Sequence, residues 1–372
     1  MKFSIARDTI YEALQKVVNV IPQRSPLLML QNVLIRADDQ SVSLTASDTE
    51  ITIVSQIEGE VERTGSIAVP GRLLNDVIRE LPNVPVTFDS NEAFRMTITT
   101  EFGEYRLAGE DPVGFPRSPE LAEGQEIVLN NDVMKRLIED TAFATSTDEL
   151  RPSLNGVYFE AQPGAIQAVA TDGHRMALVR YADEAIQCEP LKAIISNRAV
   201  NFLMRSLEGD GQLKAVFSDR HAAFHLDHTT MYARLITEQF VDYRRVIPEE
   251  IKYEMVADTA QVYAATKRVA LFSNPITAQV VLRISPDAVE LHAEDVDFGG
   301  SATEKIPCQF SGDEFLVAFN SKYLLDMLKH IHTPQLVMQF VRPDYAALAR
   351  PVGLPENEEQ LTLLMPIRLE TP

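Results

Sequence analysis

The chain has 372 residues, more than one hydrophobic core usually serves, so two or three domains are expected. Hydrophobic residues make up 45% of it and charged residues 24%, which excludes a disordered or low-complexity protein. The formal net charge of -20 excludes a protein that holds nucleic acid by neutralising phosphates over its whole surface. A role with DNA would have to be topological or locally basic.

The amino-terminal sequence MKFSIARDTIYEALQ mixes charged and apolar residues too early for a signal peptide. No apolar run approaches the roughly 18 residues of a membrane span, so we expect a cytoplasmic protein without a membrane partner. Cys188 and Cys308 match no metal-ligand or redox spacing and are expected to be reduced thiols. The sequence predicts no cofactor and no metal site.

The predicted elements recur three times along the chain. Each copy opens with a helix, which starts at Arg7, Asn131 or Thr259. Alternating runs typical of strands follow, such as SVSLTASDTEITIVSQI from Ser41, GVYFEAQPGAIQAVATDG from Gly156 and VVLRISPDAVELHAED from Val280. A short apolar strand then leads into a second helix, in AVPGRLLNDVIREL from Ala68, IISNRAVNFLMRSL from Ile194 and VAFNSKYLLDMLKHI from Val317.

This threefold repeat predicts an α+β fold made of three repeated domains, each with two helices and an antiparallel sheet. The unit ends also resemble each other, since GFPRSPE from Gly114 matches QFVDYRRVIPEE from Gln239. We place the boundaries so that the domains are residues 1–122, 123–250 and 251–372.

The second helix of each copy carries basic residues opposite its predicted core face. The apolar positions coincide across the copies and fill one arc, which in the first copy holds Leu73, Leu74, Val77, Ile78 and Leu81. Two positions on the opposite side are basic in every copy: Arg72, Arg198 and Lys322, and, seven residues later, Arg79, Arg205 and Lys329. Ordinary solvent exposure would explain one such helix. Three matching helices instead predict a basic inner wall for a polyanion, if the domains form an arc.

Several segments resemble one protein family over the whole length of the chain. They are ATDGHRMA from Ala170, LNGVYFE from Leu154, FVDYRRVIP from Phe240, FNSKYLLDML from Phe319 and the late LLMPIRL, with the opening MKFSIARD. Together they are similar to the beta subunits of bacterial DNA polymerase III, the sliding clamps. The resemblance implies the DNA clamp fold, with two chains closing head to tail into a homodimeric ring whose helices line the pore.

The resemblance also implies a peptide-binding pocket between the second and third domains. Its matching positions here are Leu154, Thr171, Gly173, His174, Arg175, Met176, Val241, Arg245, Val246, Asn320, Leu363, Met365, Pro366, Ile367, Arg368 and Leu369. Most are apolar, which suits an extended motif carrying Leu or Phe. Two features depart from the family pattern: Val241 stands where a Pro is usual, and Glu370, Thr371 and Pro372 extend past the usual last Leu.

For ring closure, the resemblance implies a contact between a first-domain strand bearing Tyr105 and Leu107 and the first helix of the third domain, bearing Leu271 and Phe272. The alternative is that Leu271 and Phe272 complete the core of their own domain. For DNA contact, Arg24 and Arg72 match family positions. The family also contacts DNA through a loop that carries an aromatic pair. Pro152 and Ser153 stand at those two positions here, so Arg151 is the remaining candidate for DNA contact in this loop.

The function implied is that of a non-enzymatic processivity factor. It would encircle double-stranded DNA without sequence specificity and tether the replicative polymerase, the clamp loader, other polymerases and repair proteins through a short peptide motif. The alternative is a peptide-binding scaffold that uses the same domain without DNA. Such a scaffold would have no need of the basic residues on the second helices.

An enzyme finds little support in the sequence. His221, His225 and His228 would share a face if their segment were helical, as a zinc site requires. The segment instead predicts two strands about a turn at residues 227–229, which separates the three imidazoles. His174 has no nucleophile motif beside it and is expected to be a turn residue in the pocket.

Overall fold

The structure is a computed structural model that describes residues 1–119, 121, 124–207, 209–297 and 299–369. The predicted boundary at residues 122 and 123, and the extension Glu370 to Pro372, lie outside the described residues. The chain divides into two compact units, one of residues 1–131 and 205–235 and the other of residues 132–204 and 236–372. The middle copy of the repeat therefore contributes elements to both units.

Each copy of the repeat contains the two α-helices that the sequence predicts. They are α1 (Arg7–Val18), α2 (Gly71–Glu80), α3 (Asn131–Ala142), α4 (Asn197–Ser206), α5 (Thr259–Val269) and α6 (Ser321–Lys329). Side-chain oxygens cap the last two helices at their amino ends. Asp258 accepts from the backbone N–H of Gln261 at 2.8 Å, and Asn320 accepts from that of Lys322 at 3.0 Å.

Antiparallel strands fill most of the remaining chain. The first copy holds β1 (Lys2–Ala6), β2 (Asn32–Ala37), β3 (Ser41–Ser47), β4 (Ile51–Glu58), β5 (Glu60–Arg63), β6 (Gly65–Pro70), β7 (Pro85–Ser90), β8 (Arg95–Thr100) and β9 (Gly103–Ala108). The middle copy holds β10 (Gln125–Asn130), β11 (Gly156–Gln162), β12 (Ala165–Thr171), β13 (Arg175–Ala182), β14 (Leu191–Ser196), β15 (Gln212–Phe217), β16 (His221–Leu226) and β17 (Thr229–Ile236). The last copy holds β18 (Tyr253–Asp258), β19 (Gln279–Ser285), β20 (Ala288–Asp295), β21 (Gly300–Phe310), β22 (Phe315–Asn320), β23 (Gln335–Phe340), β24 (Ala347–Pro351) and β25 (Glu358–Leu364).

The first unit contains two antiparallel sheets. One has the order β5-β1-β7-β8-β9, so β9 lies at its edge. The other runs β6-β2-β3-β4 and continues into β17-β16-β15-β10 through the pairing of β4 with β17. That pairing extends from Ser55 opposite Thr229 to Ile51 opposite Ala233, and it joins strands of the first and middle copies into one sheet.

The second unit repeats this arrangement with later strands. The middle-copy strands β14-β11-β12-β13 continue into β25-β24-β23-β18 through the pairing of β13 with β25. Strands β21, β20, β19 and β22 complete the last copy. We call the β4–β17 and β13–β25 pairings the strand joints.

The sheets bury the apolar faces of the helices, with one departure from the sequence prediction. In α2 the buried residues are Gly71, Leu74, Asn75 and Ile78, whereas Leu73 is 51% exposed. The predicted core arc was therefore too wide at Leu73. Asn75 occupies the side that faces α1, where it accepts a hydrogen bond from Gln15 at 2.8 Å, so polar residues form part of the contact between the two helices.

The histidine segment forms the hairpin that the sequence predicts. Strand β16 ends at Leu226 and β17 begins at Thr229, with Asp227 between them at a φ of 47°. His225 is bonded through its ring to Thr230 on the opposite strand, at 3.2 Å. Among the described residues, none of the helices has the length and apolar character that crossing a membrane requires.

Candidate functional site

The joint between β13 and β25 brings the segments near residues 175 and 365 together. Its register places Arg175 opposite Leu364 and Met176 opposite Leu363. Beyond the ladder, Ile367 continues the backbone pairing by donating to the carbonyl oxygen of Ala318 at 2.8 Å. The last described segment is therefore fixed on both sides by main-chain hydrogen bonds, which position the side chains from Met365 to Leu369.

A cluster of buried apolar side chains lies on one face of this joint. It includes Leu154, Met176 and Leu363, each less than 5% exposed, together with Tyr158 and Phe240, whose rings stack at 4.7 Å. Burial raises the pKa of Tyr158 to about 12, so its phenol is neutral at physiological pH. Three of the predicted pocket residues thus form part of one core, although they come from distant parts of the sequence.

Three exposed apolar side chains come from the same segments of the chain as that cluster. Val241 is 44% exposed, Val246 is 48% exposed and Met365 is 44% exposed, and all three belong to the same unit. We use the name groove for these three residues with Leu154, Met176 and Leu363. Large exposed apolar side chains beside a buried apolar cluster are typical of a binding surface.

The turn between β12 and β13 presents His174. Gly173 takes a φ of 92°, a conformation that favours glycine, and its N–H donates to the Thr171 hydroxyl at 3.1 Å. One carboxylate oxygen of Asp172 accepts from the N–H groups of His174 and Arg175 at 2.8 and 2.9 Å. These bonds hold the loop and leave the His174 side chain exposed near the Tyr323 ring, 6.2 Å away.

The remaining predicted pocket residues divide into inward and outward groups. The Arg175 side chain is only 10% exposed and bonds to Asp172 and Asp326. Asn320 is committed to capping α6. Arg245 is exposed and paired with Asp242 at 2.7 Å. Of the last segment, Arg368 is exposed, whereas Pro366, Ile367 and Leu369 are half-buried.

All six basic positions of the second helices are exposed, which confirms the predicted orientation of these side chains. Their partners were not predicted. Arg79 pairs with Asp76 and Glu80, each at 3.0 Å, and Arg72 donates to the carbonyl oxygen of Ile21 at 2.7 Å. The acids that neutralise Arg79 stand three residues before it and directly after it, a signal that the sequence does contain.

Two further DNA candidates lie in loops. Arg24 is exposed in the connection after α1. Arg151 is half-exposed and pairs with Asp148 at 2.8 Å, and its guanidinium lies 3.1 Å from where a side chain at Gly173 would begin. An ion pair of this kind is weak in water and leaves the arginine able to exchange its partner for a phosphate.

The residues expected to close a ring differ in exposure. In β9, Tyr105 is 38% exposed but Leu107 is 6% exposed and belongs to the core of its own unit. Leu271 and Phe272 lie not in helix α5, as expected, but in a short 3-10 helix, Ala270–Phe272, that follows it. They are 81% and 44% exposed, so Leu271 does not complete the core of its own domain.

A buried carboxylate near the start of β25 was missed by the sequence reasoning. Asp140 on α3 is 1% exposed, accepts from the His332 ring at 3.1 Å and lies 3.6 Å from Arg136, which also bonds Glu358. Burial raises the pKa of Asp140, while His332 and Arg136 oppose that shift. Arg136, Asp140 and His332 border a cleft of about 410 Å³. Asp140 lies between Glu139 and Thr141 in the sequence, and a charged residue beside another charged residue is expected on the surface.

Comparisons with known proteins identify the family. Three domain models of the DNA polymerase III beta subunit, N-terminal, central and C-terminal, match residues 1–119, 128–242 and 244–368. The beta sliding clamp of Staphylococcus epidermidis is 30% identical over 99% of both chains. The sliding clamp structure of Pseudomonas aeruginosa is 29% identical, with a TM-score of 0.94 over 99% of this chain and all of that one. The Bacillus subtilis clamp structure is 26% identical over the full length of both, with a TM-score of 0.94. The chain belongs to the family of DNA polymerase III beta subunits, the beta sliding clamps.

Proposed function

We propose that two copies of this chain close into a ring around double-stranded DNA and hold the replicative polymerase and other DNA enzymes on it. The protein would act in the cytoplasm and would contribute no catalytic step. Family membership supports this function over the alternative of a peptide-binding scaffold that works without DNA. The observation that supports closure into a ring is that the chain contains the same strand joint twice.

The two strand joints have equivalent registers. The registers of the paired strands, followed from strand to strand in each copy, make Ser55 of β4 equivalent to Val179 of β13 and Thr229 of β17 equivalent to Gln360 of β25. Ser55 pairs with Thr229, and Val179 pairs with Gln360. The same geometry is therefore used twice within one chain, although the side chains at the joints differ.

Each of the two strands in a joint has a third equivalent in the chain, and that equivalent lies at the edge of a sheet. The strand equivalent to β4 and β13 is β21, and the strand equivalent to β17 and β25 is β9. Among the described residues, β9 pairs only with β8, and residues 300–307 of β21 pair only with β20. An unpaired edge is a template for another strand, and two complementary edges on one chain favour head-to-tail association.

Extending the register to these edges places Gly103 of one copy opposite Glu304 of the other. Tyr105 then lies opposite Ala302, and Leu107 opposite Gly300. A side chain at Gly300 would begin 3.5 Å from the Phe272 ring, so the small residues of β21 leave Tyr105 room beside Phe272. This gives the exposed Tyr105, Leu271 and Phe272 a common function in the contact between two chains.

Cysteine pairs test the register. In a variant with Cys188 and Cys308 replaced by Ser, Glu104→Cys with Thr303→Cys places thiols at directly opposed, exposed positions. Mild oxidation should give a covalent dimer. Glu104→Cys with Lys305→Cys is the control, because it is displaced by two residues, roughly 7 Å along the strand. Equal cross-linking of both pairs, or none in the first, would overturn the register.

The oxidised ring also tests encirclement. Loaded in its reduced form by the clamp loader onto nicked circular DNA and only then oxidised, the cross-linked protein should remain on the circle at a salt concentration that removes phosphate-bound proteins. Cutting the circle should release it. Equal loss from circular and linear DNA would contradict topological retention.

The groove supplies the site for the partner proteins. Its dry floor and exposed Val241, Val246 and Met365 suit an extended peptide with a Leu or Phe anchor, while the exposed His174 and Arg245 offer polar contacts at its border. Because these six residues form one groove within the described part of the chain, a polymerase, the clamp loader and repair proteins that carry such a motif would compete for it. A labelled peptide displaced by each partner tests this.

A further inference from the structure

The residue that connects the groove to helix α6 is Arg175. Its side chain is 10% exposed, and its guanidinium lies 4.6 Å from the centre of the Tyr323 ring and 5.5 Å from that of Phe143. One guanidinium nitrogen donates to Asp326 on α6 at 2.6 Å, and another lies 3.1 Å from Asp172. Arg175 is thus held by aromatic faces and by two carboxylates, and it is not directed into the groove as a free cation.

Asp326 occupies an unusual place on α6. It stands four residues after Lys322 and three before Lys329, so on a helix it lies on the same side as both lysines. Its side chain is 47% exposed. A carboxylate at this position would ordinarily pair with one of the two lysines and reduce the positive charge of this surface. Among the described residues, however, the ion pair that Asp326 makes is with Arg175.

Helix α2 shows the outcome without such an arginine. Its equivalent acid is Asp76, four residues after Arg72 and three before Arg79. Asp76 pairs with Arg79 at 3.0 Å, within the helix itself. In α4 the equivalent residue is Phe202, which has no charge. The equivalent position therefore differs in the three helices. It is an acid paired within the helix in α2, an uncharged residue in α4, and an acid paired with a residue outside the helix in α6.

We propose that Arg175 is a positioning residue that engages Asp326 and so keeps Lys322 and Lys329 available for DNA phosphates. Arg175 does not touch DNA in this proposal; it acts through Asp326. The inference rests on the proposed function, because it takes α6 to face the encircled duplex. Arg175 directly precedes Met176 of the groove on strand β13, so a change at Arg175 is also expected to affect the peptide site.

DNA binding by the two lysines is therefore coupled to the ion pair between Arg175 and Asp326. If Arg175 loses its hold on Asp326, the carboxylate becomes free to pair with Lys329, as Asp76 pairs with Arg79. DNA then has to compete with an internal anion for the lysine. By reciprocity, DNA bound to Lys322 and Lys329 favours the state in which Arg175 holds Asp326 and the turn from Asp172 to Arg175 is ordered.

The test measures binding of the full-length protein to a short, fluorescently labelled linear duplex over a salt titration. Arg175→Ala should weaken DNA binding roughly twofold to fivefold at low salt, as expected for an exposed ion pair. It should also reduce the slope of log K against log salt by about one unit, one phosphate contact. Arg175→Ala with Asp326→Asn should restore both values, because the competing carboxylate is gone.

The double variant separates positioning from a structural role. A merely structural effect of Arg175→Ala would persist after Asp326→Asn, so an unrescued loss of DNA binding overturns the proposal. Circular dichroism and the dimer mass check that each variant is folded. Asp76→Asn with Glu80→Gln is the matched control: it removes both acids that pair with Arg79 in α2 and should strengthen DNA binding without any change in peptide affinity.

Lys322→Ala with Lys329→Ala distinguishes this proposal from the proposed function. If that variant loses DNA affinity while Arg175→Ala does not, the lysines contact DNA and the role of Arg175 alone is overturned. If neither variant changes DNA binding, the assignment of α6 to the DNA surface is overturned together with the role of Arg175. Loss in both, with rescue by Asp326→Asn, supports both.

Discussion

The main-chain N–H of Met365 donates to the carbonyl oxygen of His174 at 2.8 Å, immediately past the last pair of the β13–β25 joint. This bond fixes the end of the chain to the turn that presents His174. The two sides of the groove are therefore held by the backbone, independently of the side chains that a peptide would contact.

Truncation after Leu364 should abolish peptide binding and leave the dimer intact. The cut removes Met365 and the segment to Leu369 but keeps all seven residues of β25 in the joint. Fluorescence anisotropy with a labelled peptide and sedimentation measure the two effects. Truncation after Leu369 is the control, and we expect it to change affinity only modestly. Unchanged binding after the longer truncation would place the peptide site elsewhere.

Val246→Glu should weaken peptide binding at least tenfold with little loss of stability. The side chain is 48% exposed, so the charge is tolerated in the free protein but becomes buried under a bound peptide. Val352→Glu is the matched control, because Val352 is also an exposed valine, 38% accessible and outside the groove. A similar effect of both changes on binding would show that charge alone, and not the groove, is responsible.

Replacing Leu271 and Phe272 by Ala should shift the dimer towards monomer. Burying such side chains stabilises a contact by roughly 1.5–3 kcal/mol each, and both are exposed in the single chain. Sedimentation across a micromolar concentration series gives the dissociation constant. Ile276→Ala, at a 91% exposed position four residues beyond Phe272, should leave the dimer unchanged. A double variant that stays fully dimeric would exclude these residues from the contact.

Changing Arg72, Arg198 and Lys322 to Glu should impair retention on DNA without unfolding the protein. All three are exposed on helices, so the change removes phosphate contacts and adds repulsion. The control changes Arg36, Lys214 and Arg283 to Glu, which are exposed on strands and give the same net charge. Retention on nicked circular DNA is measured for each. Equal impairment would mean that total charge, not its location, governs retention.

Cys308 should react slowly with alkylating reagents. Burial, with a smaller contribution from Asp287, raises the pKa of its thiol to about 11. Because the thiolate is the nucleophile, only about one thiol in a thousand is ionised at pH 8. The alkylation rate followed by mass spectrometry should still be rising above pH 10. A plateau near pH 9 would show an ordinary exposed thiol.

The repeat and its helices could be predicted because self-similarity reports on three independent copies of one pattern. The exposure of the six basic positions followed for the same reason. The individual pairings could not be predicted in this way. Whether Asp326 meets Lys329 or Arg175 depends on a contact between segments 151 residues apart, which helical spacing does not contain.

The misplaced residues have local causes. The apolar character of Leu73 predicts a core position, but in the structure Asn75 fills the side towards α1 by bonding Gln15. Leu271 and Phe272 were assigned to α5, but the α-helical hydrogen bonding ends at Val269 and a tighter turn follows. Leu107, which the resemblance places at the ring contact beside Tyr105, is only 6% exposed in the single chain, and its part in that contact stays a prediction. In each case apolarity was visible in the sequence, and the direction of the side chain was not.

The unpaired edges of β9 and β21 also affect how the chain associates when it is not part of a ring. A separated chain carries two complementary edges on different strands, so association in register has no built-in limit on the number of chains. Closure removes both edges at once, whereas an open assembly always leaves one at each end. Conditions that pull the ring apart should therefore favour filament growth and aggregation, and the closed dimer is the form that protects the sheet edges from other strands in a crowded cell.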